Sequence, residues 1–322
     1  MGKNERNVES AKMNIKELFV KNRTMIIGML GAFLLGIGVM GVFNSNLLSS
    51  SDPKESSKIH ILCMGVDKFV PMDQRVEGSN SIGQADGIFL LALDVKKRTL
   101  DIVSISRDTM VTIEKYYSDL DYMGSEEAQI CLQYAYADGL KKSCELMVDR
   151  VEELFEGVEI DGYVSINMAS VVEINDAVGG VTVTVENADT AYKMGVEPGS
   201  EVKLTSENIS LFIQSRDKTE SESAYGRTLR FKEYVTAFIP QGVAAIKKDP
   251  GLVADMMDIL EENMVTNLSV TDIANLAAHI SGMSTKNISY NTLQGEIILG
   301  EDGYEELYPD EKQLEELRKI VY

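Results

Sequence analysis

The sequence has no tryptophan, only two histidines and only three cysteines in 322 residues. Neither His60 nor His279 stands in a Cys or His cluster, so no zinc site is expected, and a Ser-His-Asp triad has few candidates. The odd number of cysteines gives no disulfide framework. Cys131 and Cys144 could pair if two helices meet suitably, but we expect all three, with Cys63, to be small buried hydrophobic side chains.

Positive charge is also scarce. The chain carries 31 Lys and Arg residues against 51 Asp and Glu residues, a net charge of −20. Nucleic-acid-binding proteins draw their non-specific affinity from Lys and Arg that neutralise phosphates. The composition therefore excludes nucleic acid as a partner, and the acidity is expected to keep the protein soluble.

Charge is missing altogether from residues 25–43. A run of this length is close to the roughly 20 residues that a helix needs to cross a bilayer. A secretory signal is the alternative, but its apolar region is shorter, about 7 to 15 residues, and residues 41–45 offer no A-x-A cleavage pattern. Six basic residues precede the run against three acidic ones, which favours a cytoplasmic N-terminus. We therefore predict a single-pass protein of the cell membrane.

This prediction divides the chain into a cytoplasmic tail (1–24), a transmembrane helix (25–43), a Ser-rich linker (44–57) and an extracellular part. The part beyond the span carries 25 basic and 48 acidic residues, a net charge of −23. We place its main domain at 58–248 and expect 249–322 to be a helical extension of the same domain.

Hydrophobic patterns in the extracellular part alternate between strands and helices. Apolar runs predict strands over 59–66, 88–93 and 100–105, the last two joined as a hairpin. Further patterns predict strands over 163–166 and 181–185, and helices within 126–155, 169–178, 226–246, 253–263, 270–281 and 309–322. The alternation is typical of an α/β fold, with a mixed central β-sheet flanked by helices.

Acidic and basic residues stand directly at the edges of these strands. Asp67 and Asp86 could hold a magnesium ion, which takes carboxylate oxygens and substrate phosphate oxygens as ligands. A turn-forming aspartate at a strand end is the plain alternative. Asp108 directly follows Arg107, where it could equally form an ion pair or cap a turn.

Eight arginines follow the uncharged run, and three of them fall within fifteen residues: Arg216, Arg227 and Arg230. A guanidinium presents a fork of donors that matches phosphate oxygens, so convergent arginines suit a diphosphate. The alternative is that Arg227 and Arg230, three residues apart, form one exposed helical stripe paired with nearby glutamates.

Five sequence motifs in order resemble those of the LytR-CpsA-Psr family of cell-wall assembly enzymes. The resemblance covers about residues 59–246 and includes the preceding apolar span. Its motifs are the opening strand with its Asp (61–67), a Gly-Gln-Ala-Asp-Gly segment (83–87), Ser-Ile-Ser-Arg-Asp (104–108), a strand, helix and Gly-Gly-Val turn (161–183), and two arginine motifs (212–216 and 225–230).

The resemblance implies a transferase that takes a glycopolymer, such as teichoic acid or capsular polysaccharide, from a polyprenyl diphosphate carrier. The product would be a phosphodiester to a peptidoglycan hydroxyl. An apolar cavity in the domain would hold the lipid. The chemistry would be phosphoryl transfer by positioning and charge neutralisation rather than through a covalent enzyme intermediate.

The resemblance also assigns roles to residues. It implies that Asp67 and Asp86 bind Mg²⁺, and that Asp67 or Asp108 acts as the base for the incoming hydroxyl. The diphosphate would be held by arginines, namely Arg107, Arg216, Arg227 and Arg230.

The chain departs from the family pattern at four positions. Gln84 and Gln214 replace arginines, Lys68 stands near where the family often has Ser-Arg, and Phe231 replaces a usual Gln. Charge-assisted hydrogen bonds are worth about 1.5 to 3 kcal/mol each, so two missing positive charges would weaken contact with a diphosphate. The departures support an alternative hypothesis, in which the protein binds a lipid-linked glycan or a cell-wall partner without turnover.

Overall fold

The computed structural model describes residues 58–78, 81–117, 119–214, 223–249, 251–281, 283 and 285–322. The strands within these ranges are β1 (Lys58–Val66), β2 (Ala85–Asp94), β3 (Thr99–Ile105), β4 (Met110–Tyr116), β5 (Tyr122–Gln129), β6 (Gly162–Asn167), β7 (Val181–Val185), β8 (Ser200–Leu204), β9 (Met264–Thr266), β10 (Ile288–Thr292), β11 (Gly295–Leu299) and β12 (Glu305–Pro309). The α-helices are α1 (Cys131–Ala135), α2 (Lys141–Leu154), α3 (Met168–Ala177), α4 (Ala188–Met194), α5 (Ile209–Gln214), α6 (Ser223–Lys248), α7 (Leu252–Glu261), α8 (Val270–Ser281) and α9 (Glu311–Val321).

Six strands form the central sheet in the order β10-β3-β2-β1-β6-β9. The β1–β2, β2–β3 and β6–β9 pairs are antiparallel, and the β1–β6 and β10–β3 pairs are parallel. The predicted α/β fold with a mixed central sheet is therefore confirmed. Three separate two-stranded hairpins, β4–β5, β7–β8 and β11–β12, surround it.

Helices cover both faces of the sheet because its central strands are apolar on both sides. Alternate residues of β1 enter different cores: Ile61 and Cys63 pack with α3, α5, α6, α7 and α8, whereas Leu62 and Met64 pack with α1, α2 and α9. Each fully buried aliphatic side chain contributes about 1.5 to 3 kcal/mol. The two cores fix the sheet between the helices and hold its strand ends in place.

The predicted hairpin of the second and third strands is present. Asp94 pairs with Thr99 and Ile88 with Ile105, and Arg98 in the connecting turn has a left-handed φ of 56°. The three cysteines are buried and free, as expected for small hydrophobic side chains.

The prediction of helix from residue 126 is wrong at its start. Tyr122–Gln129 is a strand, β5, which pairs along β4 through contacts such as Thr112 with Glu127. Glu126 and Glu127 are exposed, so this stretch has no apolar periodicity to mark it as a strand. Pairing with β4, not the local pattern, decides its conformation.

The expectation of a purely helical stretch from 249 to 322 is also wrong. It contains α7, α8 and α9, but β9 and β10 are the two edge strands of the central sheet, and β11–β12 is a further hairpin. These strands are three to five residues long, too short to give a clear pattern.

The predicted transmembrane helix at 25–43 and the linker at 44–57 lie outside the described residues. Within the ranges that the structure describes, no helix combines the length and apolar character needed to cross a bilayer.

Candidate active site

The candidate site lies where β1 and β3 end and β2 begins. Asp67 directly follows β1, Asp86 is the second residue of β2, and Arg107 stands two residues after β3. Because β2 runs antiparallel to both neighbours, its first residues lie beside the last residues of β1 and β3. The strand order alone thus gathers three of the predicted residues at one edge of the sheet.

Arg107 contacts three side chains at this edge. Its Nη1 donates to Asp86 Oδ1, its Nη2 donates to Gln84 Oε1, and its Nε lies 3.4 Å from Asp108 Oδ1. The Arg107 side chain is 18% exposed. Two carboxylates and one neutral amide thus fix the orientation of the Arg107 guanidinium.

The surroundings keep Arg107 charged. Burial lowers the pKa of Arg107, but the carboxylates of Asp86 and Asp108 raise it, and the pKa lies above its ordinary value. Burial raises the pKa of the Cys131 thiol to about 11, so this thiol is neutral at physiological pH.

Asp67 is exposed and is tied to both sides of the site. Its backbone amide donates to the carbonyl oxygen of Gln84 over 2.9 Å, and its Oδ1 accepts from Gln214 Nε2 over 3.0 Å. Gln84 therefore links Asp67 to Arg107, through its backbone on one side and its side chain on the other. Gln214 links Asp67 to the end of α5.

A small cavity of about 40 Å³ opens between these elements. Asp86 and Gln214 line it together with the apolar side chains of Phe89, Met168 and Ile213. A volume of this size holds one or two water molecules. Its lining combines an apolar wall with Asp86, which contacts Arg107, and Gln214, which contacts Asp67.

Asp108 is buried, with 7% of its surface exposed. Its backbone amide donates to Ser106 Oγ over 3.3 Å, and its carbonyl oxygen accepts from the backbone amide of Leu307 over 2.8 Å. Thr109 forms a parallel bridge with Leu307. Strand β12, which the sequence patterns did not reveal, thus supports the Arg107-Asp108 segment.

Two further basic residues, Lys68 and Arg75, lie in the loop after β1. Lys68 is buried, its Nζ donates to the carbonyl oxygens of Met72 (3.0 Å) and Gln74 (2.6 Å), and burial lowers its pKa. It orders the loop after β1. Arg75 is exposed in the same loop.

The arginine cluster of 216–230 is placed only in part. Arg216 lies outside the described residues, and Arg227 lies in α6. Arg230 is buried, and its Nε donates to the carbonyl oxygen of Phe212 over 3.0 Å, which joins α6 to α5 two residues before Gln214.

Sequence reasoning treated Gln84 and Gln214 only as lost charges and missed their contacts. Both contacts join residues far apart in the chain, 23 residues for Gln84 with Arg107 and 147 for Gln214 with Asp67. A polar residue two positions before Asp86 was the available signal for Gln84. No local pattern marked Gln214.

Comparison with known proteins places this geometry in a family. The model of the LytR_cpsA_psr family matches residues 41–321. The chain belongs to the LytR_cpsA_psr family. The matched range extends the earlier resemblance to the last helix, α9, and includes β9 to β12.

Named family members are similar along most of the chain. The polyisoprenyl-teichoic acid--peptidoglycan teichoic acid transferase TagV of Bacillus subtilis is 25% identical over 285 residues, covering 86% of this chain and 67% of TagV. TagU of Oceanobacillus iheyensis, a transferase of the same name, is 27% identical over 267 residues, covering 80% of this chain and 76% of TagU. The crystal structure of B. subtilis TagV superposes with a TM-score of 0.58 at 25% identity, covering 82% of this chain and 96% of that one.

Proposed function

We propose that this protein transfers a glycopolymer from a polyprenyl diphosphate carrier to a hydroxyl group of peptidoglycan. The observation that carries the proposal is the charged guanidinium of Arg107, held by Gln84 and by Asp86, which also lines a partly apolar cavity. The names of the relatives TagV and TagU support the same class of donor and acceptor.

The reaction is a single phosphoryl transfer. The acceptor hydroxyl oxygen bonds to the sugar-linked phosphorus, and the bond from that phosphorus to the bridging oxygen breaks. The products are a glycopolymer–peptidoglycan phosphodiester and polyprenyl monophosphate. The hydroxyl proton goes to a carboxylate, and exposed Asp67 is better placed for it than buried Asp108.

In this proposal Arg107 binds the diphosphate oxygens. Its guanidinium is charged and oriented by Asp86 and Gln84, and the Arg107 side chain is partly exposed. Such a preorganised hydrogen-bond donor stabilises the negative charge that develops on the leaving phosphate. Arg216 and Arg227 would add charge from the segment after α5. Buried Arg230 would hold α5, and with it Gln214, in position.

The donor set at the site fits Mg²⁺. Asp67 and Asp86 offer carboxylate oxygens at the end of β1 and the start of β2, and magnesium is commonly held by one or two carboxylates plus substrate phosphate oxygens. No group of three or more Asp, Glu, His or Cys side chains converges among the described residues, so substrate and water would complete the coordination. When bound, the ion would neutralise diphosphate charge.

The lipid needs more room than the cavity of about 40 Å³ provides. Donor binding would therefore require Ile213 on α5 to move away from Phe89 on β2. Because both side chains are apolar, the widened cavity would remain suited to a prenyl chain.

The test is transfer by the purified full-length protein in detergent, with Mg²⁺, a polyprenyl diphosphate glycan and peptidoglycan. Arg107→Ala is expected to lower transfer and donor binding at least tenfold. Arg98→Ala is the matched control, because Arg98 is exposed at the opposite end of β3. Full transfer by Arg107→Ala would overturn the proposal.

The second candidate is a protein that binds the lipid-linked glycan or a cell-wall partner without turnover. Its support is the neutral amide at two positions beside the site, Gln84 on Arg107 and Gln214 on Asp67. Tight retention of a polyprenyl diphosphate lipid, with no transfer and no diphosphate hydrolysis in the presence of Mg²⁺, would favour it.

A further inference from the structure

Exposed large apolar side chains are concentrated on two hairpins. Among the described residues, eight of the twelve such side chains lie on β4–β5 or β11–β12. Hairpin β4–β5 with its turn carries four of them: Tyr117, Leu120, Tyr122 and Met123. Hairpin β11–β12 carries the other four: Ile298, Leu299, Tyr304 and Tyr308. Contiguous exposed apolar groups rimmed by polar residues usually mark an interaction site.

The two hairpins form one continuous surface, here called the hairpin surface (residues 110–117, 119–129 and 295–309). Gln129 Nε2 of β5 donates to the carbonyl oxygen of Glu305 in β12 over 3.4 Å. Thr109, the residue before β4, forms a parallel bridge with Leu307 in β12.

The hairpin surface begins at the candidate active site. Strand β4 follows Asp108 and Thr109 in the chain, and Leu307 of β12 binds the backbone of both residues. Arg107 donates to Gln84 and Asp86, and Asp86 lines the cavity. A donor bound at the cavity and a second molecule on the hairpin surface would thus meet at Arg107 and Asp108.

Charge restricts what can bind there. Residues 110–129 and 295–309 contain ten acidic residues and a single basic one, Lys115. This potential repels an anionic bilayer surface and a phosphate-bearing polymer. The surface suits a ligand rich in hydroxyl groups, because hydroxyl groups donate hydrogen bonds to carboxylates. The C–H faces of the same ligand can pack on tyrosine rings.

A groove in the same region has the size and lining for sugar rings. It has a volume of about 640 Å³ and lies at the base of hairpin β11–β12, beside the start of α9. Tyr308, Glu296 and Asp310 line it together with the amide side chains of Gln294 and Gln313. Ligand sites commonly enclose about 300 to 1,000 Å³.

We propose that the hairpin surface binds the glycan strand of the acceptor and directs its hydroxyl group to Arg107, where it meets the donor. This inference rests on the proposed function only in naming the bound glycan as the acceptor of the transfer. The binding of a sugar strand by the hairpin surface can be tested without any transfer.

The experiment is co-sedimentation of the full-length protein, in detergent, with insoluble peptidoglycan from which teichoic acid and proteins have been removed. Two double variants, Tyr117→Ser with Tyr122→Ser and Tyr304→Ser with Tyr308→Ser, are expected each to lower binding about tenfold. Tyr192→Ser is the matched control, because Tyr192 lies on α4, is 84% exposed and should leave binding unchanged.

A second pair of changes keeps every tyrosine. Glu127→Gln with Glu306→Gln is expected to weaken binding, since neutral amides accept weaker hydrogen bonds than carboxylates. Thermal unfolding of each variant checks that the fold is kept.

Three results would overturn the inference. In the first, wild-type protein and tyrosine variants bind peptidoglycan to the same extent. In the second, the tyrosine changes abolish binding to anionic vesicles but not to peptidoglycan. In the third, the wild-type protein is a dimer and the tyrosine changes dissociate it. Failure of the proposed function is distinguishable: the hairpin surface would still bind peptidoglycan, but Arg107→Ala would leave donor binding unchanged.

Discussion

The side-chain amide of Gln214 lies 3.0 Å from Asp67 Oδ1, although 147 residues separate the two in the chain. This contact joins the end of α5 to the end of β1. The donor in this contact is a neutral amide, where the related motif has an arginine.

Gln214→Glu should place a third carboxylate beside Asp67 and Asp86. Repulsion between the introduced carboxylate and Asp67 is expected to lower the melting temperature without metal, and Mg²⁺ should restore it, because more carboxylate ligands bind the ion more tightly. Melting curves with and without Mg²⁺ measure both effects. Gln214→Ala, which adds no charge, should show no gain in Mg²⁺ affinity.

Gln84→Glu should weaken diphosphate binding. The new carboxylate would form an ion pair with Arg107 in place of the present neutral contact, and a diphosphate would have to displace it. The expected loss is about tenfold in affinity, roughly 1.4 kcal/mol. Titration of the full-length protein with inorganic pyrophosphate and Mg²⁺ measures it. Gln84→Ala removes the competing acceptor and should bind at least as well as wild type.

Two adjacent glycines should differ sharply when replaced by alanine. Gly179 and Gly180 both have left-handed φ, 86° and 84°, so either change costs about 1 to 2 kcal/mol in backbone strain. At Gly180 the new methyl group would also lie 2.6 Å from the Leu204 carbonyl oxygen, whereas at Gly179 it meets nothing within 4 Å. Chemical denaturation should rank Gly180→Ala well below Gly179→Ala; equal stabilities would contradict the described turn.

Stability should fall as the pH drops below about 6.5 because of His279. Burial lowers the pKa of His279 from its ordinary 6.5, and the charge of Arg98 lowers it further. The unfolded chain therefore binds a proton at His279 more readily than the folded protein does. The free energy of unfolding therefore decreases from about pH 6.5 downward. His279→Gln should flatten this part of the curve, measured by urea unfolding between pH 7.5 and 5. An unchanged slope would show that other groups cause it.

The central strands could be predicted because their local sequences are apolar enough to indicate burial. Continuous apolar runs marked β1, β2 and β3, and the charged residues at their ends pointed to the edge where Asp67, Asp86 and Arg107 lie. Burial on both faces leaves no other role for such runs.

Other parts of the fold depend on partners that no local pattern reveals. Strand β5 is polar and exposed, and only its pairing with β4 makes it a strand. Strands β9 and β10 are short edges that join β6 and β3 across long stretches of chain. The contacts of Gln84 and Gln214 likewise arise only when distant elements meet.

The support of Asp108 by Leu307 ties the first part of the domain to nearly its last. The same holds for Lys58 at the start of β1, whose ammonium group donates to the carbonyl oxygen of Ile320 in α9. During biosynthesis, β1 to β3 emerge from the ribosome long before β10 and β12. A nascent chain therefore lacks the contact of Leu307 with Asp108 until translation is almost finished, and premature termination near residue 300 would give a product with the central sheet but without this support for the site.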